Sequence, residues 1–263
     1  MSGLRTFFCM AQEMGGLLGE CDLLLRTLSA EPESGMSETV QCVWFKRDLR
    51  VSDHAPLASA AQAGPVLPLY IIEPAVIHAP DFDAMHWDFI RESLLELKAK
   101  LASLGLTLQV VKGEAVAVFA ELHAQYHLEC IWAHEETGNA VTYRRDQAVA
   151  AWANDAGVAF QEVPQNGVVR RLKDRDGWAR HWERRMSAPI IETQAKTTPA
   201  AGLSAVEIPE ANDMGLTRSP RAPDLRGGES EAYRILQSFI SGRGVRYHRE
   251  MSSPNTAYES CSR

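Results

Sequence analysis

Five short apolar runs, separated by stretches of helical periodicity, constrain this chain more than any other feature. They are Gln41–Phe45, Val66–Ile72, Leu106–Val111, Glu129–Ala133 and Val158–Val163. Each has the length of a strand buried on both faces. The clearest helix between them is Met85–Leu104, where Trp87, Ile90, Leu94, Leu97, Leu101 and Leu104 form one stripe. Glu96 and Lys100 pair at i, i+4 on its outer face, and Gly105 ends it. Weaker helices are predicted at Glu114–Gln125 and Val141–Asn154. Strands alternating with helices need right-handed crossovers and a parallel sheet covered on both sides. The pattern therefore predicts an α/β domain over residues 39–188, built on a five-stranded, doubly wound parallel sheet (Rossmann-like).

The rest of the chain reads differently. Residues 1–38 carry little regular pattern and are expected to be a disordered extension, with Met36 a candidate natural start; a short amphipathic helix around Leu17 to Leu28 is the alternative. Residues 170–186 form a further amphipathic helix. Residues 189–228 are a linker by composition, with Pro189, Pro199, Pro209, Pro220 and Pro223 among four glycines. Glu229–Ile240 is helical again. Residues 229–263 are too few for a core of their own and read as a helical stub, the opening of a second domain.

A formal net charge of -7 argues against a general nucleic-acid coat, because such binding rests on neutralising phosphates. The five cysteines are odd in number, with no Cys-x-x-Cys pair, which fits free thiols in a reducing compartment. Cys42 and Cys130 fall in strands and are expected in the core. No apolar stretch approaches the roughly 18 to 20 residues of a membrane span. The apolar run from Met14 to Leu25 is broken by Glu20, Cys21 and Asp22 and makes no convincing signal peptide. A cytoplasmic protein without membrane contact is expected.

Three constellations could carry chemistry. After the first strand come Lys46, Arg47, Asp48 and Arg50, with Asp53 as a helix cap; these charges sit where open parallel sheets place ligands. They are either a solvated turn with an internal Arg–Asp pair or an anchor for an anionic ligand or a neighbouring domain. No Gly-x-Gly-x-x-Gly or Gly-x-x-x-x-Gly-Lys-[Ser/Thr] follows, so ordinary nucleotide cradles are disfavoured. After the fourth strand comes His134-Glu135-Glu136-Thr137-Gly138-Asn139, able to hydrogen-bond a planar heterocycle or simply to start a helix. Its spacing lacks His-x-x-x-His, and no metal site is expected. Tyr143 to Asp146 should follow as an exposed helix face. Third, residues 169–185 hold seven Lys and Arg against three Asp and Glu, with Trp178 and Trp182 four apart. Interleaved aromatics and cations suggest nucleic acid; a connector helix that buries both tryptophans is the plainer reading.

Trp44-Phe45-Lys46-Arg47-Asp48-Leu49-Arg50, with Asp53 and Pro56-Leu57, resembles the opening motif of the photolyase/cryptochrome flavoproteins. His134 to Asn139, Tyr143 to Asp146, Asn166 to Arg171 and Asp176-Gly177-Trp178 are similar to a bacterial branch of the same family. The resemblance covers residues 41–263. It implies light-driven, FAD-dependent repair of pyrimidine dimers in damaged DNA, a carbon–carbon lyase reaction. It also implies an α/β domain holding an antenna chromophore: a folate, a deazaflavin or a flavin. By that likeness Phe45, Lys46, Arg47, Asp48, His134, Glu135 and Glu136 are the antenna candidates. Tyr247 matches a tyrosine that contacts the flavin, and Ser262, in Cys261-Ser262-Arg263, resembles the start of the loop around its diphosphate. Most of that FAD site lacks a counterpart here. The chain is therefore expected to be a catalytically incomplete fragment, whose partner would be the missing FAD domain. A non-catalytic chromophore-binding or photoreceptor-type module, or the product of a frameshifted gene, are the alternatives.

Overall fold

The computed structural model describes residues 39–193, 197–219, 225–253 and Asn255. Cys9, Cys21, Cys261 and Ser262 lie outside them, as does the whole 1–38 segment.

The chain builds β1 (Val40–Phe45), α1 (Ala55–Ala63), β2 (Val66–Ile72), the short α2 (Pro74–Ile77), α3 (Ala84–Ser103), β3 (Gln109–Lys112), α4 (Ala115–Tyr126), β4 (Leu128–His134), α5 (Ala140–Ala156) and β5 (Ala159–Val163). All strand pairs are parallel, in the order β3-β2-β1-β4-β5. This is the doubly wound sheet that the alternation predicts. Strand β1 is buried at every position and shows how one strand serves two cores. Cys42 and Trp44 point to the face covered by α4 and α5, with Phe119, Leu122, Val149 and Ala153. Val43 and Phe45 point to the face covered by α1 and α3, with Leu57, Trp87, Leu94 and Leu101. Side chains alternate across a strand, so both faces must be apolar when both are covered. Cys42 and Cys130 are buried free thiols, and burial pushes both thiol pKa values up, Cys130 to about 11.

The end of α3 follows from one residue. Gly105 takes φ 83°, and the Leu106 N–H turns back to the Leu101 carbonyl at 2.9 Å, a glycine C-cap. The apolar run that begins at Leu106 starts pairing only at Gln109, opposite Leu69. Leu106 and Leu108 are buried, yet they belong to the approach to the strand. Apolar composition marks the burial and cannot mark where the ladder begins.

Beyond β5, α6 spans Trp178–Met186, α7 Glu229–Ser241 and α8 Tyr247–Glu250. Helix α6 is half the length that its pattern suggests, because Arg171 (φ 55°) and Gly177 (φ 81°) take left-handed conformations that no helix contains. The described part of the proline-rich stretch is packed onto the α/β domain. Ala200, Ile208 and Met214 are buried, Pro199 bridges to Val66, and the Pro209 carbonyl accepts from Trp87 Nε1 at 3.0 Å. Glycines 227 and 228 then pass so close to α3 that a Cβ on Gly227 would overlap the Phe89 carbonyl oxygen. Buried Glu229 fastens the start of α7, taking the N–H groups of Val51 and Ser52 at 3.3 Å and Lys100 Nζ at 2.8 Å. Among the described residues no helix is long and apolar enough to cross a membrane.

Candidate functional site

The strand order reverses between β1 and β4, so their carboxyl ends flank a switch-point crevice. Asp48, three residues past β1, is 2% exposed there. Among the described residues it pairs with no arginine. Its Oδ2 accepts from His54 Nε2 at 2.8 Å and from His134 Nδ1 at 2.5 Å, and its Oδ1 accepts from the Lys46 N–H at 2.8 Å. His54 Nδ1 accepts the Leu57 N–H at 3.1 Å, so this ring carries its proton on Nε2. His54, not Asp53, is therefore the N-cap of α1. Asp53 instead stands at φ 50° and takes the Ile191 N–H at 3.0 Å. Burial alone would push the Asp48 carboxyl up, but the hydrogen bonds from His134 and His54 hold it well below the usual carboxylate range. Burial lowers His134 and outweighs the opposing Asp48 bond, so its ring is neutral at pH 7. With Nδ1 committed to Asp48, Nε2 is the ring atom left for the pocket that His134 lines.

A second network backs the first. Lys46 Nζ pairs with buried Asp146 Oδ2 at 2.6 Å. Arg145 joins Asp146 Oδ1 at 2.8 Å, Glu136 Oε2 at 2.9 Å and Glu73 Oε1. Lys46 and Arg145 both lie over the Trp44 ring, 4.9 and 4.6 Å from its centroid. The Tyr143 to Asp146 run is thus not an exposed face: Arg144 is exposed, whereas Asp146 is buried and Arg145 mostly so. Asn139 caps α5 by taking the Val141 and Thr142 N–H groups, and Glu136 Oε1 takes the Gly138 N–H at 2.6 Å.

Lys46, Arg47, Asp48, His134, Glu135 and Glu136 come together around one pocket, joined by Thr137 and Gln165. Phe45 lies beneath it, fully buried against His54 with ring centroids 4.7 Å apart. Tyr247 does not join them. It sits on α8, 41% exposed, with its ring edge-on to Phe239. Within the pocket the polar groups divide sharply. Lys46, Asp48 and both oxygens of Glu136 are consumed by the bonds above. Glu135 meets Arg170 through Oε1 at 3.2 Å, and exposed Arg47 has no ion pair among the described residues. Arg47, Glu135 and His134 Nε2 remain to meet a ligand.

The cavity volume is about 20 Å³, room for one or two waters against the roughly 300–1,000 Å³ of a ligand pocket. The polar set suits the edge of a heterocycle, and a pocket of this size does not enclose a whole flavin or folate. Asp48, His54 and His134 are also metal-ligand types within 4.8 Å of one another. Their separations of 2.5 and 2.8 Å are hydrogen-bond distances, shorter than the roughly 3.3 Å that ligands about 2.0–2.1 Å from a tetrahedral zinc would need. They read as a lock.

The sequence did not single out His54. Its signal is Pro56, which marks the start of a helix and makes the preceding polar residue a cap.

A family model described as DNA photolyase matches residues 41–175. The "Blue-light photoreceptor PHR2" of Arabidopsis thaliana is 29% identical over 228 residues, covering 76% of this chain and 50% of its own. A "Cryptochrome DASH" of Natronomonas pharaonis is 28% identical over 220 residues, covering 75% of this chain and 46% of its own. The crystal structure of a bacterial class III photolyase from Agrobacterium tumefaciens superposes with a TM-score of 0.63 at 19% identity, over 83% of this chain and 48% of that one. The chain spans about half the length of these relatives.

Proposed function

The chain belongs to the DNA photolyase family, and on that premise we propose that it is a chromophore-binding module of the photolyase/cryptochrome type that does not repair pyrimidine dimers unaided. The carrying observation is the Asp48–His134 bond, which ties the β1 and β4 loops together and leaves His134 Nε2 facing the pocket they share. A neutral imidazole held this way accepts a ring N–H. Arg47 offers a cation to an anionic substituent, and Glu135 a second acceptor. Lys46, Asp48 and Glu136 fix the loops, and Phe45 supports His54 from below. The chromophore itself, a folate, deazaflavin or flavin, would supply the absorption of light.

The absence of unaided repair is supported by the exposure of Tyr247. The residue that resembles a flavin contact stands at the surface, so the described residues do not wrap a FAD around it. Repair of damaged DNA would then fall to an assembly in which a FAD-binding partner completes the site. A photoreceptor role uses the same pocket, and one matched relative is named a blue-light photoreceptor.

Titration with FMN, a deazaflavin and a reduced folate tests this reading. One of them should bind near 1:1, and Arg47→Ala should weaken binding about 10- to 100-fold, the worth of a charge-assisted hydrogen bond. Dimer-containing DNA irradiated with the chain and FAD should stay unrepaired. No uptake of any of the three, or repair by the chain alone, contradicts the proposal.

A further inference from the structure

The plainer sequence reading of residues 170–186 buries both tryptophans. The structure leaves them 41% (Trp178) and 45% (Trp182) exposed and sets both against one glycine. Trp178 Nε1 donates to the Gly167 carbonyl at 3.0 Å, and a Cβ on Gly167 would overlap Trp182 Cδ1. Gly167 is buried, and it lies two residues from Gln165, which lines the pocket between β1 and β4.

The backbone on the other side of Gln165 is fastened as firmly. The Val163 carbonyl at the end of β5 accepts the Glu135 N–H at 2.9 Å. Pro164 has its φ fixed by its own ring. Asn166 Oδ1 takes the Val168 N–H at 2.9 Å and closes a turn. Arg170 straps the same wall, meeting Glu162 at 2.9 and 2.8 Å and Glu135 at 3.2 Å. The neighbours of Gln165 are therefore tied down, whereas its own amide has no hydrogen-bond partner among the described residues. Gln165 is half-buried, and neither amide atom is sealed inside the protein. With the loop ordered beforehand, contact with a ligand costs little beyond the side chain's own freedom.

The amide adds to the chemistry of the pocket. His134 Nε2 and Glu135 accept, and Arg47 donates as a cation. A glutamine both donates and accepts without charge. Its complement is a ring edge that carries a carbonyl beside an N–H, a cyclic amide. We propose that Gln165 contacts such an edge of the bound ring, and that Trp178 and Trp182 are positioning residues that act on it through Gly167. The inference rests on the reading of this crevice as a chromophore pocket.

The test is titration of the full chain with FMN, a deazaflavin and a reduced folate, followed by chromophore absorption, in a cycle of Gln165→Leu, Trp182→Ala and the two together. Gln165→Leu keeps the volume and removes the amide, and should weaken binding of the ligand taken up by roughly 2- to 12-fold. Trp182→Ala should weaken binding in the unaltered chain and add nothing in Gln165→Leu, because it acts through that residue; Trp182→Phe should restore affinity. Equal losses from Trp182→Ala in both backgrounds would mark a merely structural helix and overturn the positioning role. Uptake with affinity unchanged in Gln165→Leu overturns the inference and leaves the chromophore reading standing. No uptake of any of the three by the unaltered chain overturns both.

Discussion

Replacing Asp48 by Asn tests the lock at the centre of this account. The carboxylate takes three donors: Oδ2 receives His54 Nε2 and His134 Nδ1, and Oδ1 receives the Lys46 N–H. An amide cannot replace it in either orientation. With its oxygen toward the histidines, its NH₂ opposes the Lys46 N–H. With its oxygen toward Lys46, its NH₂ opposes His54, whose tautomer is fixed by the Leu57 N–H on Nδ1. One buried donor–donor conflict costs about 1–3 kcal/mol, and each lost charge-assisted bond about 1.5–3 kcal/mol. Relief of the carboxylate's desolvation offsets part of this, so a net loss of about 3 kcal/mol is expected, within the range for breaking a buried polar pair. With a urea m-value of about 2–3 kcal/mol/M, the midpoint should fall by about 1 M or more. Urea unfolding followed by circular dichroism measures it. A fall below about 0.3 M at an unchanged m-value would show that Asp48 does not hold these loops.

Acid should act through the same residues. His134 is lowered in the folded state, so its contribution is complete above the unfolded value of about 6.5 and is lost as pH falls through the folded one. Asp48 is lowered too, and its contribution, present above about 3.9, disappears as pH falls further. The unfolding midpoint should be flat just above pH 7 and decline below about 6.5, and a midpoint constant from pH 7 to 5 would refute the His134 assignment. Glu229→Ala removes the acceptor for Val51, Ser52 and Lys100. It should loosen the start of α7 by about 1–2 kcal/mol and speed limited proteolysis near residues 225–228; an unchanged cleavage rate would show that the latch carries no load.

Periodicity made the scaffold legible. The stripe from Trp87 to Leu101 sets α3, and β1 shows its burial on both faces in Val43, Trp44 and Phe45. The Glu96–Lys100 pair appears as expected at 2.8 Å. The candidate site was legible as a place and not as a set of roles. Lys46, Asp48 and Glu136 read as groups poised for a ligand because the bonds that consume them follow no periodicity. The short-range ones, from His54 to Asp48 and from Gly138 to Glu136, depend on loop geometry, and others span the chain: Asp146 is 100 residues from Lys46, and His134 is 86 from Asp48. Patterns within a window of one helix cannot show such bonds. The tryptophans of α6 misled for the opposite reason. A large aromatic at helical spacing is usually core, yet Trp178 and Trp182 meet Gly167 and stay 41% and 45% exposed.

The central claim is that the crevice between β1 and β4 serves a chromophore. The most direct measurement is the absorption spectrum of the purified chain, with any released pigment identified by mass. A near-stoichiometric folate, deazaflavin or flavin, lost in Arg47→Ala while the fold persists, is the predicted result. A colourless protein that takes up none of the three when they are supplied would contradict it.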